Sequence, residues 1–129
     1  MSIIKQFLIA CLIIVSLFTA GAMNSRTMEN LSDSISEQLS LSQSAAEGSR
    51  WEDVEGALSQ ASQTWKDHET YLHVMVDHKE IDEAESLFAE IRQYAAQRDS
   101  NKYCTGAERL SVQLDHLKES QRFDIKNIF

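Results

Sequence analysis

At 129 residues the chain has room for one small domain, because a separate hydrophobic core needs roughly 50 residues or more. Hydrophobic residues make up 43% of the chain, proline is absent and glycine occurs four times, a balance that disfavours turn-rich sandwiches and barrels and favours helices. The 20 acidic residues outnumber the 12 basic ones, and a formal net charge of −8 would repel a phosphate backbone, so we expect no nucleic-acid partner.

The first predicted element is an apolar segment, residues 1–23. No residue from Phe7 to Met23 is charged, and residues 3–22 would span about 30 Å as a helix, which matches the hydrocarbon core of a bilayer. We expect residues 3–22 to contact membrane lipid as a transmembrane or signal-anchor helix. Signal-anchor helices commonly leave their N-terminus in the cytoplasm, so residues 24–129 are expected to form the extracytoplasmic domain of a single-pass cell-membrane protein.

A second interpretation of the same segment is a signal peptide. Ala20, Gly21 and Ala22 form a small-x-small pattern that signal peptidase accepts, and the alternative product is a protein secreted after cleavage near Ala22. Both interpretations place the body outside the cytoplasm. Cys11 lies in the apolar segment and Cys104 is the single cysteine of the body, which excludes an internal disulfide framework.

Apolar residues at steps of three and four predict the first two helices of the body. The first covers about residues 26–46, or else continues the membrane helix as a stalk, because only residues 24–25 stand between them as a break. Ser49 and Glu52 form a capping box at the start of the second helix. The stripe of this second helix consists of Trp51, Val54, Leu58, Ala61, Trp65, His68, Leu72 and Met75.

A shift of the apolar register precedes the third helix, so the chain must break or kink within residues 76–80. A polar turn at residues 98–101 separates the third helix from the fourth. The third stripe consists of Ile81, Ala84, Phe88, Ile91 and Ala95, and the fourth of Tyr103, Ala107, Leu110, Leu114 and Leu117. Four helices with short connections predict an all-α fold, either a small antiparallel bundle or stacked helical hairpins.

The C-terminal tail, residues 123–129, reads FDIKNIF and lacks helical periodicity. Phe123, Ile125, Ile128 and Phe129 have almost no polar cover in this tail. Such a segment seldom stays in water, so we expect it either to strap back over the body or to serve as a docking peptide for a partner.

The stretch MVDHKEIDEAE, residues 75–85, surrounds a histidine with carboxylates. One interpretation is a helix start, with Asp77 as N-cap and Glu80 three residues later in a capping box. The other is a site for a divalent metal such as zinc. In that site His73 and Asp77 share a helical face and His78 or His116 supplies a third ligand.

Catalytic chemistry has little support in the sequence. Acid–base catalysis requires a desolvated acid beside an ionised partner, and the run of carboxylates that begins at Glu80, on an exposed helix start, offers no such contrast. The sequence also lacks a nucleophile elbow, a P-loop and a dinucleotide motif. We therefore expect no catalytic residue and no cofactor.

Cys104 is interpreted as a small buried residue rather than a reactive thiol, and His68 as a hydrogen-bonded core histidine.

Several features together resemble a bacterial family, domain of unknown function 4363. They are the tryptophan pair, an H-x-E-I-D box, an acidic third helix, a leucine-rich fourth helix with a histidine, and a chain that ends in N-I-F. The resemblance covers nearly the whole chain. It implies short proteins, largely of Gram-positive spore-forming bacteria, with an N-terminal anchor and a helical body, and it implies no activity. The matching residues are Trp51, Trp65, His78, Glu80, Ile81, Asp82, Leu114, His116, Leu117, Asn127, Ile128 and Phe129.

Together these features predict a membrane-anchored helical module for protein–protein interaction or scaffolding, with a membrane or envelope protein as its partner. The two alternatives are a metal- or ligand-binding sensor domain, with His73, Asp77, His78 and His116 as ligands, and a coiled-coil module that forms a homo-oligomer through the stripe beginning at Trp51. The expected interaction residues are Trp51, Trp65, His78, Glu80, Asp82, Asn127, Ile128 and Phe129.

Overall fold

The computed structural model describes residues 2–128, apart from the side chains of residues 24–25 and 122–128. Within this range the chain forms five helices and no strand, which confirms the predicted all-α class. The helices are α1 (Ser2–Glu47), α2 (Trp51–Asp67), α3 (Glu69–Met75), α4 (His78–Ala96) and α5 (Ser100–Ile128).

Helix α1 contains both the apolar segment and the first helix of the body. Its backbone is helical through residues 24–25, so the stalk interpretation of the sequence describes it correctly. Large apolar side chains before this point are exposed, with Phe7 at 68% and Leu12 at 67%. From Met28 onward most apolar positions of the same helix are buried, among them Leu31, Ile35 and Leu39, whereas Leu41 is 57% exposed. One helix therefore joins a candidate membrane span to a packed core.

The core lies between α1, α2, α4 and α5. Helix α1 packs against both α2 and α5, and α4 packs against α5 and, over a smaller area, against α2. Apolar side chains fully shielded from water stabilise such a fold by roughly 1.5–3 kcal/mol each. The fully buried large side chains are Met28, Leu31, Ile35, Leu39, Val54, Leu72, Ile81, Ile91, Tyr103, Leu110, Leu114 and Leu117.

Two turns use non-glycine residues with positive φ. Ser49 has φ 58° and Arg98 has φ 54°. In the first turn the Arg50 amide donates to the Ala45 carbonyl and the Ser49 amide to the Ala46 carbonyl, the paired bonds of a Schellman ending. The predicted capping box at Ser49 is wrong, because Ser49 completes the end of α1 and the N-cap of α2 is Arg50, without a side-chain cap.

The predicted second helix is interrupted at His68. The His68 amide donates to the Trp65 carbonyl, and its φ of −106° and ψ of 12° end α2 before α3 begins at Glu69. The ring is half-buried, and its Nδ1 lies 2.8 Å from the Thr64 carbonyl oxygen. His68 is thus hydrogen-bonded, as expected, but it marks a helix break rather than a fully buried position in one continuous helix.

Helix α5 is longer than the sequence pattern suggests. Asp99 caps its first turn by accepting from the Lys102 amide at 3.1 Å. The helical backbone continues to Ile128, although the tail from residue 123 lacks helical periodicity. The side chains of Asn127 and Ile128, and the whole of Phe129, lie outside the described part of the chain.

A buried hydroxyl pair ties α5 to α1. The Tyr103 hydroxyl donates to Ser42 Oγ at 2.7 Å, and Ser42 Oγ donates to the Leu39 carbonyl at 2.7 Å. Burial raises the pKa of Tyr103, while the hydrogen bond with Ser42 lowers it. Ser32, equally buried on α1, has no hydrogen-bond partner for its Oγ. The two serines share a helix and full burial but differ in hydrogen bonding.

These two serines predict opposite responses to alanine. Ser42→Ala leaves the buried Tyr103 hydroxyl unpaired, and we expect it to lower the free energy of unfolding by about 1–3 kcal/mol. Ser32→Ala removes an unpaired hydroxyl and improves helix propensity, so it should leave that free energy unchanged or raise it slightly. Denaturant titration of the full chain in detergent, followed by tryptophan fluorescence, measures both. An equal loss of unfolding free energy in the two variants would contradict a stabilising hydrogen bond between Ser42 and Tyr103.

The helix contact between α4 and α5 predicts a second pair of responses. A Cβ added at Gly106 would lie 2.7 Å from Ile91 Cγ2, whereas one added at Gly56 would meet nothing within 4 Å. We expect Gly106→Ala to destabilise the body by about 1 kcal/mol, because overpacking exceeds the propensity gain. Gly56→Ala should stabilise it by about 0.5–1 kcal/mol. The same titration tests both, and a stabilising Gly106→Ala would show that the two helices separate easily.

Candidate functional site

The stretch around His78 begins helix α4. Asp77 is the N-cap, and its Oδ1 accepts from the Lys79 amide at 3.1 Å. This confirms the predicted helix start and explains the register shift, since the chain leaves α3 at Met75 and re-enters a helix at His78. His78 and Asp82 are both exposed on the first turns of α4.

Glu80 does not complete the predicted capping box. Its Oε2 accepts from Gln113 Nε2 at 2.8 Å and lies 3.4 Å from His116 Nε2. Gln113 Nε2 also lies 3.2 Å from the backbone oxygen of Glu80. Because Gln113 and His116 belong to α5, the Glu80 carboxylate joins two helices instead of closing its own first turn. Sequence reasoning missed Gln113, which no local motif marks.

A surface groove adjoins this contact. It has a volume of about 650 Å³ and runs along α5, with α1 on one side and α4 on the other. Val112 is 60% exposed in it, and Leu87 lies at its base with 4% exposure. Gln113 lines the groove and also donates to Glu80, so the groove and the start of α4 form one continuous surface. The residues of this α5 groove are Gln43, Glu83, Leu87, Cys104, Thr105, Glu108, Arg109, Val112 and Gln113.

The groups that line the α5 groove can form ion pairs and hydrogen bonds beside an apolar patch. Glu83 and Glu108 are exposed carboxylates, and Arg109 contacts Glu90 at 3.2 Å. Such a mixture of apolar centre and charged border is typical of protein-binding surfaces.

The thiol of Cys104 lies half-buried in this groove. Its Sγ donates to the Gln43 carbonyl at 3.7 Å. Burial, and secondarily the charge of Glu47, raise the pKa of the Cys104 thiol, against a smaller opposite effect of a hydrogen bond with Ser100. The raised pKa agrees with the interpretation of an unreactive thiol, whereas the residue is half-buried and not fully buried as interpreted.

Both tryptophans that the sequence analysis names as interaction residues pack on the core. Trp65 is 5% exposed, and its ring lies 5.7 Å from that of Phe88. Trp51 is half-buried and meets the ring of Tyr103 edge-on, at 6.3 Å between centroids. Most of the stripe that begins at Trp51 thus faces the interior of its own chain, although Met75 at its end is 43% exposed. Trp65 exposes almost no surface to a partner.

The four predicted metal ligands do not come together. His116 contacts Glu80, whereas the rings of His73 and His78 lie 5.6 Å apart at the junction of α3 and α4. Among the described residues, the group with metal-binding geometry is Glu69, His73 and Glu85, whose ligand atoms all lie within 4.8 Å of one another. The spacing of four between Glu69 and His73 on one helix was the available sequence signal for this set.

Comparison with known proteins identifies the family. The model of domain of unknown function DUF4363 matches residues 22–128. The chain belongs to this family. The match confirms the resemblance to this family, and it covers the body up to residue 128. No curated protein and no solved structure matches the chain.

The raised pKa of Cys104 predicts slow alkylation. In a Cys11→Ser background, we expect the rate of reaction with iodoacetamide to reach half its maximum above pH 9.0, the ordinary pKa of a cysteine, because only the thiolate reacts. Glu47→Gln should shift this midpoint downward, since it removes a nearby negative charge. Rates measured across pH on the folded chain test this, and a midpoint below pH 9.0 would contradict the burial described for Cys104.

Proposed function

We propose that this DUF4363 protein is a single-pass membrane protein whose extracytoplasmic body binds another protein and performs no chemical reaction itself. The observation that carries the proposal is the continuity of α1. Its apolar and exposed part, residues 2–23, is long and apolar enough to cross a membrane and runs directly into the core. A helix that continues from a bilayer into a packed core holds the folded body at the membrane surface.

We further propose that the body is an antiparallel four-helix bundle, with α2 and α3 together as one of its helices. The contacts between helices support this, because the residue numbers of the partners on α1 and α4 decrease as those on α5 increase. On α1 the pairs are Ser100 with Ala46, Tyr103 with Ser42, and Lys118 with Asp33. On α4 they are Arg109 with Glu90 and Gln113 with Glu80.

This arrangement gives the body two ends with different positions relative to the membrane. The turn between α3 and α4 lies at the same end as Met28, because Gln121 of α5 donates to the Met75 carbonyl at 3.3 Å. The turn between α1 and α2 lies at the opposite end, about 27 Å along α1. In a membrane-anchored chain, the start of α4 is therefore the end near the lipid.

The proposed partner surface is the α5 groove together with His78, Glu80 and Asp82. Its apolar centre, around Val112, can receive an apolar side chain, and Glu83 and Glu108 at its border can pair with cations. Because the whole chain is acidic, a partner segment that carries basic residues is favoured during approach. The proposed occupant is therefore a basic, apolar segment of a membrane or envelope protein.

Anchoring reduces the affinity that such a surface needs. Two proteins held at one membrane meet at an effective concentration that can reach the millimolar range for short linkers. A groove of about 650 Å³ with few apolar contacts then suffices for association.

A photo-crosslinking amino acid at Val112 tests the proposal in the producing cells. We expect one envelope protein to be captured from Val112 and not from Ser59, an exposed position on α2 that lies outside the α5 groove. A second variant, Glu83→Lys with Glu108→Lys, should reduce capture from Val112 at least about tenfold, because it repels a basic segment. His78→Ala with Asp82→Ala should also weaken capture, because both side chains belong to the proposed partner surface.

Three outcomes would overturn this proposal. Capture of a second copy of the chain would replace the partner by a homo-oligomer. Equal capture from Val112 and Ser59 would show non-specific proximity. Recovery of the intact chain from the cytosol, after fractionation and detection of a C-terminal tag, would contradict the extracytoplasmic body.

A further inference from the structure

The junction of α3 and α4 brings together side chains suited to a metal ion. Glu69 and His73 stand one turn apart on α3, with His73 Nε2 3.7 Å from Glu69 Oε1. Glu85 of α4 completes a group in which one ligand atom from each residue lies within 4.8 Å of the others. All three side chains are exposed, so an ion can reach them from solvent.

The core, rather than the cluster itself, fixes the positions of these helices. Leu72 and Ile81, on either side of the turn, are each 1% exposed, and Val76 within it is 7% exposed. Gln121 holds the end of α3 through the Met75 carbonyl. The ligands therefore converge on a scaffold that exists without the ion, which lowers the ordering cost of binding.

A second imidazole stands beside the group. The ring centroids of His73 and His78 are 5.6 Å apart. Imidazole nitrogens bind zinc at about 2.0–2.1 Å, and two such rings on one tetrahedral ion have centroids roughly 5–6 Å apart. The observed separation matches that of two rings on one ion, but the nitrogens of His78 lie outside the group of ligand atoms within 4.8 Å of one another, so His78 would join the ion only after its side chain rotates.

We propose that Glu69, His73, His78 and Glu85 bind one divalent transition-metal ion of the zinc class. Two imidazoles and two carboxylates form a mixed nitrogen and oxygen set, which suits zinc and its neighbours better than calcium or magnesium, since these prefer oxygen alone. The two carboxylates neutralise the charge of the ion. Trp65 Nε1 lies 3.5 Å from Glu85 Oε1, so a small approach would make it an outer-shell donor to that carboxylate.

This set differs from the one that the sequence suggests. It keeps His73 and His78 but replaces Asp77, which caps α4, and His116, which contacts Glu80. The proposed ion joins α3 to α4 across the turn at residues 76–77, where the chain reverses direction. Binding is therefore expected to stabilise this junction most, independently of whether the α5 groove binds a protein.

The test uses the full chain in lipid nanodiscs, titrated with Co²⁺ and with Zn²⁺. We expect one ion per chain, a Co²⁺ absorption spectrum typical of nitrogen and oxygen ligands, and displacement by Zn²⁺. His73→Ala and Glu85→Gln should each weaken binding at least about tenfold, and Glu85→Gln keeps the side-chain size. Zn²⁺ should also raise the thermal midpoint of the wild type and not that of His73→Ala.

His116→Ala is the matched control, since it removes an exposed histidine outside the cluster. It should bind Co²⁺ with the affinity of the wild type. The ligands are exposed, with His73 at 43%, so circular dichroism should show the same helix content for all variants. The absence of saturable binding by one ion, or equal weakening by His73→Ala and His116→Ala, would overturn the site.

Discussion

The packing of the second half of α1 is the interaction on which the fold depends. Met28, Leu31, Ile35 and Leu39 are at most 2% exposed, and α2 and α5 both lie against this helix. Helix α4 joins the body through α2 and α5. Helix α1 thus holds together the two halves of the body. The same helix begins with an apolar, exposed segment, so the core is joined without a break to a candidate membrane span.

The sequence predicts those features of the fold that depend on the periodicity of apolar residues. Stripes at steps of three and four identify most of the buried positions, although Met75 is 43% exposed and the buried Leu87 is not in the predicted stripe. The shift of register locates the break before α4, because burial repeats with the helical turn. Helix ends are harder to predict. Ser49 is a good N-cap residue by type, but it adopts a positive φ to end α1 and so cannot cap α2. The length of α5 is also missed, because residues 123–129 lack the pattern of a buried face.

The candidate site depends on contacts that no local pattern contains. Glu80 meets Gln113, 33 positions away, and Trp65 meets Glu85, 20 positions away. A polar residue on an exposed helix face satisfies the same local rules whether or not another helix places a partner beside it. Sequence reasoning therefore identified the region around His78 but could not separate the capping role of Asp77 from the interhelical role of Glu80.

The unbroken backbone of α1 also sets a direction. An α-helix turns by about 100° and rises by about 1.5 Å per residue. The number of residues between the apolar segment and Met28 therefore fixes the distance of the body from the apolar segment and the direction, around the axis of α1, in which the α5 groove faces. One additional residue there would rotate the groove by more than a quarter of a circle. Seven additional residues would nearly restore its azimuth while raising the body by about 10 Å. The number of residues in this short segment thus determines the orientation of the α5 groove around the axis of α1.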